Sequence, residues 1–235
     1  MNWKNKALEH AKIELPKESV GVLINIKGKK IYFACNNISE NPCESFILDP
    51  KSFIAAEQLG QVVSVVHSHP KTSAEASETD KVSCEQSNLP WHIVNPKTGH
   101  WGYCEPKGFK LPLRGRPYCF GVNDCYSLVK DFYYEEFGII LKDWERPATQ
   151  EEFLKNPMFE KCAEKTGFRL LEPNEKLKNG DLLFMSILGN GLNHVAIFLD
   201  GEVLHHLSNR LSCQEPYSEW LLKCTGMRFR YAKKN

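Results

Sequence analysis

The alternation of apolar and polar residues divides the chain into two parts with different patterns. In the first part, short apolar runs bounded by turn residues are interleaved with stretches of helical period, which is typical of an α/β domain. The predicted elements are, in chain order, a helix over residues 3–12, strands over 19–26 and 30–35, a helix over 50–59, a strand ending at 67, a helix starting near 77 and a strand over 91–94. The aromatic residues Trp101 and Tyr103 mark the end of this part.

The second part starts with a helix and ends with strands. Apolar residues recur at three and four spacing over residues 125–137, between the capping pair Asn123-Asp124 and Gly138, and they predict one amphipathic helix. Two shorter helical stretches follow within 151–167, and strands are predicted over 182–187, 195–199, 202–207 and 227–231. Helices followed by strands indicate an α+β domain with an antiparallel sheet.

The segment that joins the two parts, residues 105–117, is rich in Pro, Gly, Lys and Arg and shows no periodicity. Such a composition is typical of a linker. The chain of 235 residues is long enough to form two cores of ordinary size. We therefore predict one domain over residues 1–108 and a second over residues 109–235.

The charge and the cysteine content limit the partners and the cellular compartment that we expect for this protein. The formal net charge is +1, with 12 Lys and Arg against 12 Asp and Glu through Gly108 and 18 against 17 after it. This balance predicts no nucleic-acid partner, which would require a basic surface. No run approaches the ~20 apolar residues of a membrane-spanning helix. The nine cysteines contain no Cys-x-x-Cys pair, so we expect a reducing compartment, the cytosol, unless an assembly carries the protein out.

The predicted strand that ends at residue 67 leads into two histidines, His67 and His69. Residues two apart on a strand project to the same side, so both imidazoles point the same way. Asp80 follows eleven residues after His69, and Ser77 precedes it by three. Two imidazoles and a carboxylate can hold zinc and leave one position for water, which distinguishes a catalytic zinc site from a structural one.

The motif His-x-His-Pro followed by Ser-x-x-Asp resembles that of the JAMM (MPN+) metalloproteases. The resemblance implies an MPN-like α/β fold and a zinc ion with three protein ligands, His67, His69 and Asp80. It also implies that Glu18, in the segment Glu18-Ser-Val-Gly, is the general base and that Ser77 donates a hydrogen bond to the oxyanion. Glu14 also lies near this position and stays an alternative to Glu18.

A second set of motifs fills the other part of the chain: Gly121-Val-Asn-Asp-Cys, Gly180-Asp-Leu-Leu-Phe, Asn193-His-Val-Ala and Val203-Leu-His-His. They resemble an NlpC/P60 cysteine peptidase, which implies a papain-like fold. Cys125 would be the nucleophile, His194 its base and acid, and His205 the residue that orients His194. The helix N-terminus is expected to favour the thiolate of Cys125. Neighbouring residues on a strand face opposite sides, so only one of His205 and His206 can face His194. His206 is the alternative to His205.

The order of the two parts resembles the tail assembly protein K family of lambda-type phages, and the segment Gly115-Arg-Pro-Tyr-Cys-Phe-Gly is especially similar. This implies a peptidase of phage tail assembly that cleaves peptidoglycan stem or cross-bridge peptides with its thiol and a peptide or isopeptide bond with its zinc. The implied partners include tail-tip proteins, in the host cytoplasm or at the virion tail tip. Two hypotheses stay open beside it: a mainly structural assembly factor, and a bacterial hydrolase of ubiquitin-like proteins.

Overall fold

The computed structural model describes residues 2–144, 146–147, 150–155, 159–187, 189 and 191–232. The chain forms two compact units, Met1–Lys110 and Leu111–Asn235. The division falls two residues beyond the boundary proposed from the sequence. Among the helices in the described ranges, none has the length and apolar character needed to cross a bilayer. All nine cysteines lie in these ranges, and none forms a disulfide.

The first unit is built around a five-stranded mixed sheet. Its elements are α1 (Trp3–Ile13), β1 (Val20–Ile26), β2 (Lys29–Cys35), α2 (Pro50–Leu59), β3 (Gln61–Ser68), α3 (Glu78–Ser87), β4 (Trp91–Val94) and β5 (Trp101–Cys104). The strand order is β2-β1-β3-β4-β5, with β3 and β4 parallel and the other neighbours antiparallel. This arrangement confirms the prediction of an α/β domain.

Alternate residues of β1 contribute to separate cores on the two faces of this sheet. Val22 and Ile24 pack with Ala56 of α2. Leu23, between them in sequence, packs with Ala7 of α1. The sheet therefore lies between α1 and α2, as the alternation of side chains along a strand requires.

Strand β5 was not among the predicted elements, and it supports the loop between β3 and α3. A Cβ atom added to Gly102 would lie 1.7 Å from the carbonyl oxygen of Ala74 in that loop. Only glycine allows so close an approach of the two backbones. The loop connects the two histidines with Ser77, so β5 helps to fix the distance between the end of β3 and the start of α3.

The second unit is built around a six-stranded antiparallel sheet. Its elements are α4 (Cys125–Phe137), α5 (Gln150–Lys155), α6 (Phe159–Ala163), a 3₁₀ turn (Glu164–Thr166), β6 (Phe168–Leu170), β7 (Leu182–Met185), β8 (His194–Leu199), β9 (Glu202–His205), β10 (Cys213–Pro216), α7 (Glu219–Cys224) and β11 (Thr225–Tyr231). The strand order is β10-β9-β8-β7-β11-β6, and all neighbours are antiparallel.

This second fold confirms the predicted α+β domain, although three short elements were not predicted: β6, β10 and α7. Within the predicted helical stretch 151–167, residues 156–158 lie outside the described residues. Helix α4 covers one face of the sheet, where Leu128 packs on Val195 and Ile197. On the opposite face Ala196 packs with Leu221 of α7. The sheet is thus buried on both faces.

A two-residue turn joins β8 and β9 and sets their register. Asp200 and Gly201 have φ angles of 49° and 85°, and this pair of positive values is what a type I′ hairpin turn needs. Leu199 lies opposite Glu202 across the turn. The tight turn allows no slip between the strands, so it determines which histidines lie on the same face.

Candidate active sites

The end of β3 and the start of α3 bring together three side chains that sequence analysis had grouped: His67, His69 and Asp80. The two Nε2 atoms lie 3.0 Å apart, and each lies 3.2 Å from one oxygen of the Asp80 carboxylate. All three residues are buried. Within the part of the chain that the structure describes, they form a group close enough to hold one metal ion.

The donor atoms of this group fit zinc. Bonds of 2.0–2.1 Å in a tetrahedral arrangement place ligand atoms roughly 3.3 Å apart, and the distances here are 3.0 and 3.2 Å. Nδ1 of His69 lies 2.8 Å from the carbonyl oxygen of Ser73, so it carries the proton and leaves the Nε2 lone pair directed at the group. Three protein ligands leave a fourth position for water or substrate.

Ser77 caps α3 and holds the carboxylate of Asp80. Its backbone N–H and its hydroxyl both donate to Oδ2 of Asp80 at 2.7 Å, and its Oγ accepts from the Asp80 N–H at 3.1 Å. Burial would raise the pKa of Asp80, but the adjacent imidazoles of His67 and His69 and the hydrogen bonds from Ser77 outweigh burial and hold this pKa well below its usual range. The Ser77 hydroxyl, which is expected to donate a hydrogen bond to an oxyanion, donates to Asp80 in this structure.

Glu18 lies just before β1, whose Val20 is paired with His67. Burial raises the pKa of Glu18 to about 7, His69 acts in the opposite direction, and Asp80 raises it further. Glu18 is therefore coupled electrostatically to the group of three ligands. Glu14, the alternative, caps the C-terminal end of α1 and lines the same polar pocket as Glu18. A carboxyl group that titrates near neutral pH has the property that a general base needs.

Cys125 is the first residue of α4, and its neighbour Asp124 caps that helix. The Asp124 carboxylate accepts from the N–H of Ser127 at 2.8 Å and from the N–H of Gly121 at 3.0 Å. Arg146 forms a two-point ion pair with it, at 3.0 and 3.1 Å. These contacts fix the start of the helix and with it the position of the thiol.

The surroundings of Cys125 raise the pKa of its thiol. Burial, and after it the charge of Asp124, raise its pKa to about 12, and a hydrogen bond from the backbone N–H of Val195 and the charge of Arg146 lower it by less. Burial therefore acts against the helix end, which is expected to favour the thiolate. Val195 follows His194 in β8, so the sulfur lies beside the strand that carries this imidazole.

Three side chains form a line across β8, β9 and β10. Nε2 of His194 lies 3.3 Å from Nδ1 of His205, and Nε2 of His205 lies 2.6 Å from Oε1 of Glu215. The register accounts for the second contact, since Cys213 lies opposite His205 and a residue two further along a strand is a diagonal neighbour on the same face. Glu215 was not among the predicted site residues, because no motif marks a single glutamate on an unpredicted strand.

His206, the alternative third residue, points elsewhere. Its ring packs at 5.2 Å against the ring of Tyr118, and burial lowers its pKa to about 4. The imidazole within hydrogen-bond distance of His194 is that of His205. The geometry therefore favours His205 for the orienting role.

The thiol borders a pocket with aromatic walls. The aromatic residues that line it together with Cys125 are Tyr118, Phe120, Tyr126, Trp144, Phe153, Phe159, Phe168 and Phe184. Arg146 adds a cation to the same wall. Asp124, the ion-pair partner of Arg146, lines the pocket too. A nucleophile next to a concave, mostly apolar surface with a few polar groups has the general form of a substrate site.

Comparisons with known proteins agree with this division of the chain. The model of the NlpC/P60 family matches residues 115–228, and the model of prokaryotic homologs of the JAB domain matches residues 2–103. A protein from Desulfitobacterium hafniense with a solved solution structure is 26% identical and covers 40% of this chain and 70% of its own, at a TM-score of 0.33. A score this low supports no statement about the fold.

Two curated relatives share both parts of the chain. Tail tip assembly protein K of Escherichia phage N15 is 37% identical over 227 residues, which cover 95% of this chain and 92% of the relative. Tail tip assembly protein K of Escherichia phage lambda is 34% identical over 175 residues, 73% of this chain and 83% of the relative. The chain therefore belongs to the tail tip assembly protein K family, with a JAB (MPN-like) domain followed by an NlpC/P60 domain.

Proposed function

We propose that this protein is a phage tail-assembly peptidase with two active sites. The second unit would cleave peptidoglycan stem or cross-bridge peptides through Cys125, and the first would hydrolyse a peptide or isopeptide bond with zinc. Tail-tip proteins are the proposed partners, in the host cytoplasm during assembly. The observation that carries the proposal is the contact between His194 and His205 beside the strand position where the Cys125 sulfur lies.

In the second unit, the thiol of Cys125 would lose its proton as it attacks, in agreement with its raised pKa. The proton goes to His194 while sulfur bonds to the carbonyl carbon of the scissile peptide. The carbon–nitrogen bond then breaks, and His194 returns the proton to the leaving amine. A water molecule gives a proton to His194 and attacks the thioester. The carbon–sulfur bond breaks, the acid is released, and the proton returns to sulfur.

In the first unit, His67, His69 and Asp80 would hold the zinc ion. When bound, zinc supplies a Lewis acid and lowers the pKa of water to about 7. Glu18 accepts a proton from the attacking water and later delivers it to the leaving amine, and a pKa of about 7 suits both steps. Ser77 can donate to the oxyanion once its hydroxyl turns away from Asp80.

The thiol site is tested by dye release from labelled peptidoglycan. We expect Cys125→Ala to lose activity by at least about 1,000-fold, because removal of a nucleophile leaves only binding and electrostatic effects. Cys162→Ala is the matched control, since Cys162 lines the same pocket, and it should keep most of the activity. Release by Cys125→Ala at the wild-type rate would refute a thiol mechanism.

A second candidate function is assembly through binding alone. The raised pKa of Cys125 and the hydrogen bond from the Ser77 hydroxyl to Asp80 are the observations that favour it, because each must change before the group can act. Complementation separates the two functions. Phage that supply only Cys125→Ala or only His67→Ala should form full-length tails at wild-type yield if binding suffices, and should fail if catalysis is needed.

A further inference from the structure

Glu215 extends the line of side chains beyond the two histidines that the proposed peptidase uses. Its Oε1 lies 2.6 Å from Nε2 of His205, and the His205 side chain is completely buried. Nη1 of Arg210 lies 3.3 Å from the same carboxylate oxygen. The carboxylate is thus held in one place by an imidazole and a guanidinium.

These contacts determine which nitrogen of each imidazole carries a proton. A carboxylate only accepts hydrogen bonds, so Nε2 of His205 is the donor and Nδ1 of the neutral ring keeps a lone pair. That lone pair faces Nε2 of His194 at 3.3 Å, which must then be the donor of this contact. Nδ1 of His194 keeps the remaining lone pair, and this is the atom that would take a proton from a thiol.

We propose that Glu215 is a positioning residue that acts through His205 to hold His194 in the tautomer with a free Nδ1. Its negative charge also stabilises the imidazolium that forms when His194 takes the proton of Cys125. In Ser-His-Asp triads, the carboxylate of the third residue likewise holds the imidazole in one tautomer and stabilises its protonated form. The inference rests on the proposed thiol peptidase.

The charged groups around His205 support this role. Burial lowers the pKa of His205, Glu215 raises it, and Arg210 lowers it again. Nη2 of Arg210 also lies 3.1 Å from Sγ of Cys213, which is opposite His205 on β10. Arg210 thus supplies a positive charge beside Cys213 and Glu215. Without Glu215, burial and the charge of Arg210 would both oppose protonation of the imidazoles.

Three variants separate charge from hydrogen bonding. Glu215→Gln keeps an acceptor oxygen and removes the charge, whereas Glu215→Leu removes both. Glu202→Gln is the matched control, because it removes a charge from the adjacent strand, where Glu202 accepts from Gln214 at 2.5 Å and contacts neither histidine. We expect kcat for peptidoglycan cleavage to fall about 10- to 100-fold in Glu215→Leu and less in Glu215→Gln, with KM unchanged. The control should stay within about twofold of wild type.

The pH profile distinguishes positioning from a merely structural role. Loss of the carboxylate lowers the imidazole pKa, so the acid limb of kcat should move to lower pH in Glu215→Gln. A variant that is only less stable would lose activity without moving this limb. If Glu215→Leu does not fold, Glu215→Gln still carries the test.

Nitrogen NMR of the full chain with ¹⁵N-labelled histidine gives a readout that needs no peptidase activity. We expect a protonated Nε2 and a free Nδ1 for both His194 and His205 in wild type, and mixed tautomers in Glu215→Leu. A proton on Nδ1 of His194 in wild type would overturn the inference, as would unchanged tautomers and an unchanged acid limb in the variants. Failure of the proposed peptidase would show separately, as wild-type protein without Cys125-dependent cleavage.

Discussion

Each unit places two imidazoles within hydrogen-bond distance of each other and next to a carboxylate, but the two arrangements differ. In the first unit both Nε2 atoms converge on the two oxygens of Asp80, with all three distances between 3.0 and 3.2 Å. In the second unit the contacts run in a line from His194 through His205 to Glu215, at 3.3 and 2.6 Å.

This difference in geometry distinguishes donor atoms that converge on one point from donor and acceptor atoms that follow one another. Where lone pairs and a carboxylate converge, their mutual repulsion is relieved by a metal ion or by added protons. In a line, each N–H meets an acceptor, so the protein groups satisfy one another. The first arrangement is suited to holding a metal, and the second to moving a proton.

The largest expected effect concerns the converging group. We predict that replacing His67 and His69 together with Ala removes zinc completely, from about one ion per chain to none, because one carboxylate alone binds zinc weakly. Elemental analysis of the purified protein measures this. His92→Ala is the control, since His92 packs against the rings of Trp3 and Tyr103. Zinc retained in the double variant would contradict the assignment.

The next effect concerns the base of the same site. Glu18→Gln should keep the metal but lose zinc-dependent peptidase activity by about 100- to 10,000-fold, because the amide preserves shape and cannot accept a proton. Glu14→Gln, in the same polar pocket, should retain activity. If Glu14→Gln is inactive and Glu18→Gln active, the base has been misassigned. Cleavage of a peptide library measures the activity of both variants, with chelator-treated protein as the blank.

The third effect concerns the contribution of Asp124 to the stability of the second unit. Asp124→Ala removes the cap of α4 and the two-point partner of Arg146, so we expect a loss of about 2 to 4 kcal/mol in urea unfolding. Ser218→Ala, which removes the cap of α7, should cost about 1 kcal/mol or less. Equal losses of unfolding free energy in the two variants would show that the ion pair between Asp124 and Arg146 does not contribute to stability.

The same variant has an expected pH dependence. Burial would raise the pKa of Asp124, but the ion pair with Arg146 and the hydrogen bonds of the cap lower it overall. A carboxylate with a depressed pKa stabilises the fold above its unfolded pKa of about 4, and this contribution is lost as the pH falls. The stability difference between wild type and Asp124→Ala should therefore shrink below about pH 4.

The smallest effect concerns the resting state of the thiol. Because the pKa of Cys125 is raised to about 12, its alkylation by iodoacetamide should be slow at neutral pH and rise about tenfold per pH unit. Peptide mapping of the modified cysteines at several pH values measures this rate. A rate that is already constant from pH 6 upward would instead indicate a stable thiolate and imidazolium pair.

Sequence reasoning located the residues whose relation is local along the chain. His67 lies at the end of β3 and His69 just beyond it, and Ser77 and Asp80 share one helix cap, so their spacing fixes most of their geometry. Glu215 could not be found this way, because its contact with His205 arises from the register of two strands and its segment, Cys-Gln-Glu-Pro, lacks a strand pattern.

The pKa of Cys125 was beyond sequence reasoning for a different reason. A helix N-terminus is visible in the sequence, and it favours a thiolate. The charge of the neighbouring Asp124 is visible in the sequence too, but the larger opposing effect, burial, depends on how α4 packs against the rest of the unit. The position of Cys125 at a helix end could thus be read from the sequence, whereas its burial could not.

The most direct test of two separate chemistries in one chain is mass spectrometry of peptidoglycan fragments released by three proteins. These are the wild type, Cys125→Ala, and the variant with His67 and His69 both replaced by Ala. We predict identical fragments from the wild type and the histidine variant, and none from Cys125→Ala. Fragments released by Cys125→Ala, or their loss in the histidine variant, would contradict the independence of the thiol site from the metal site.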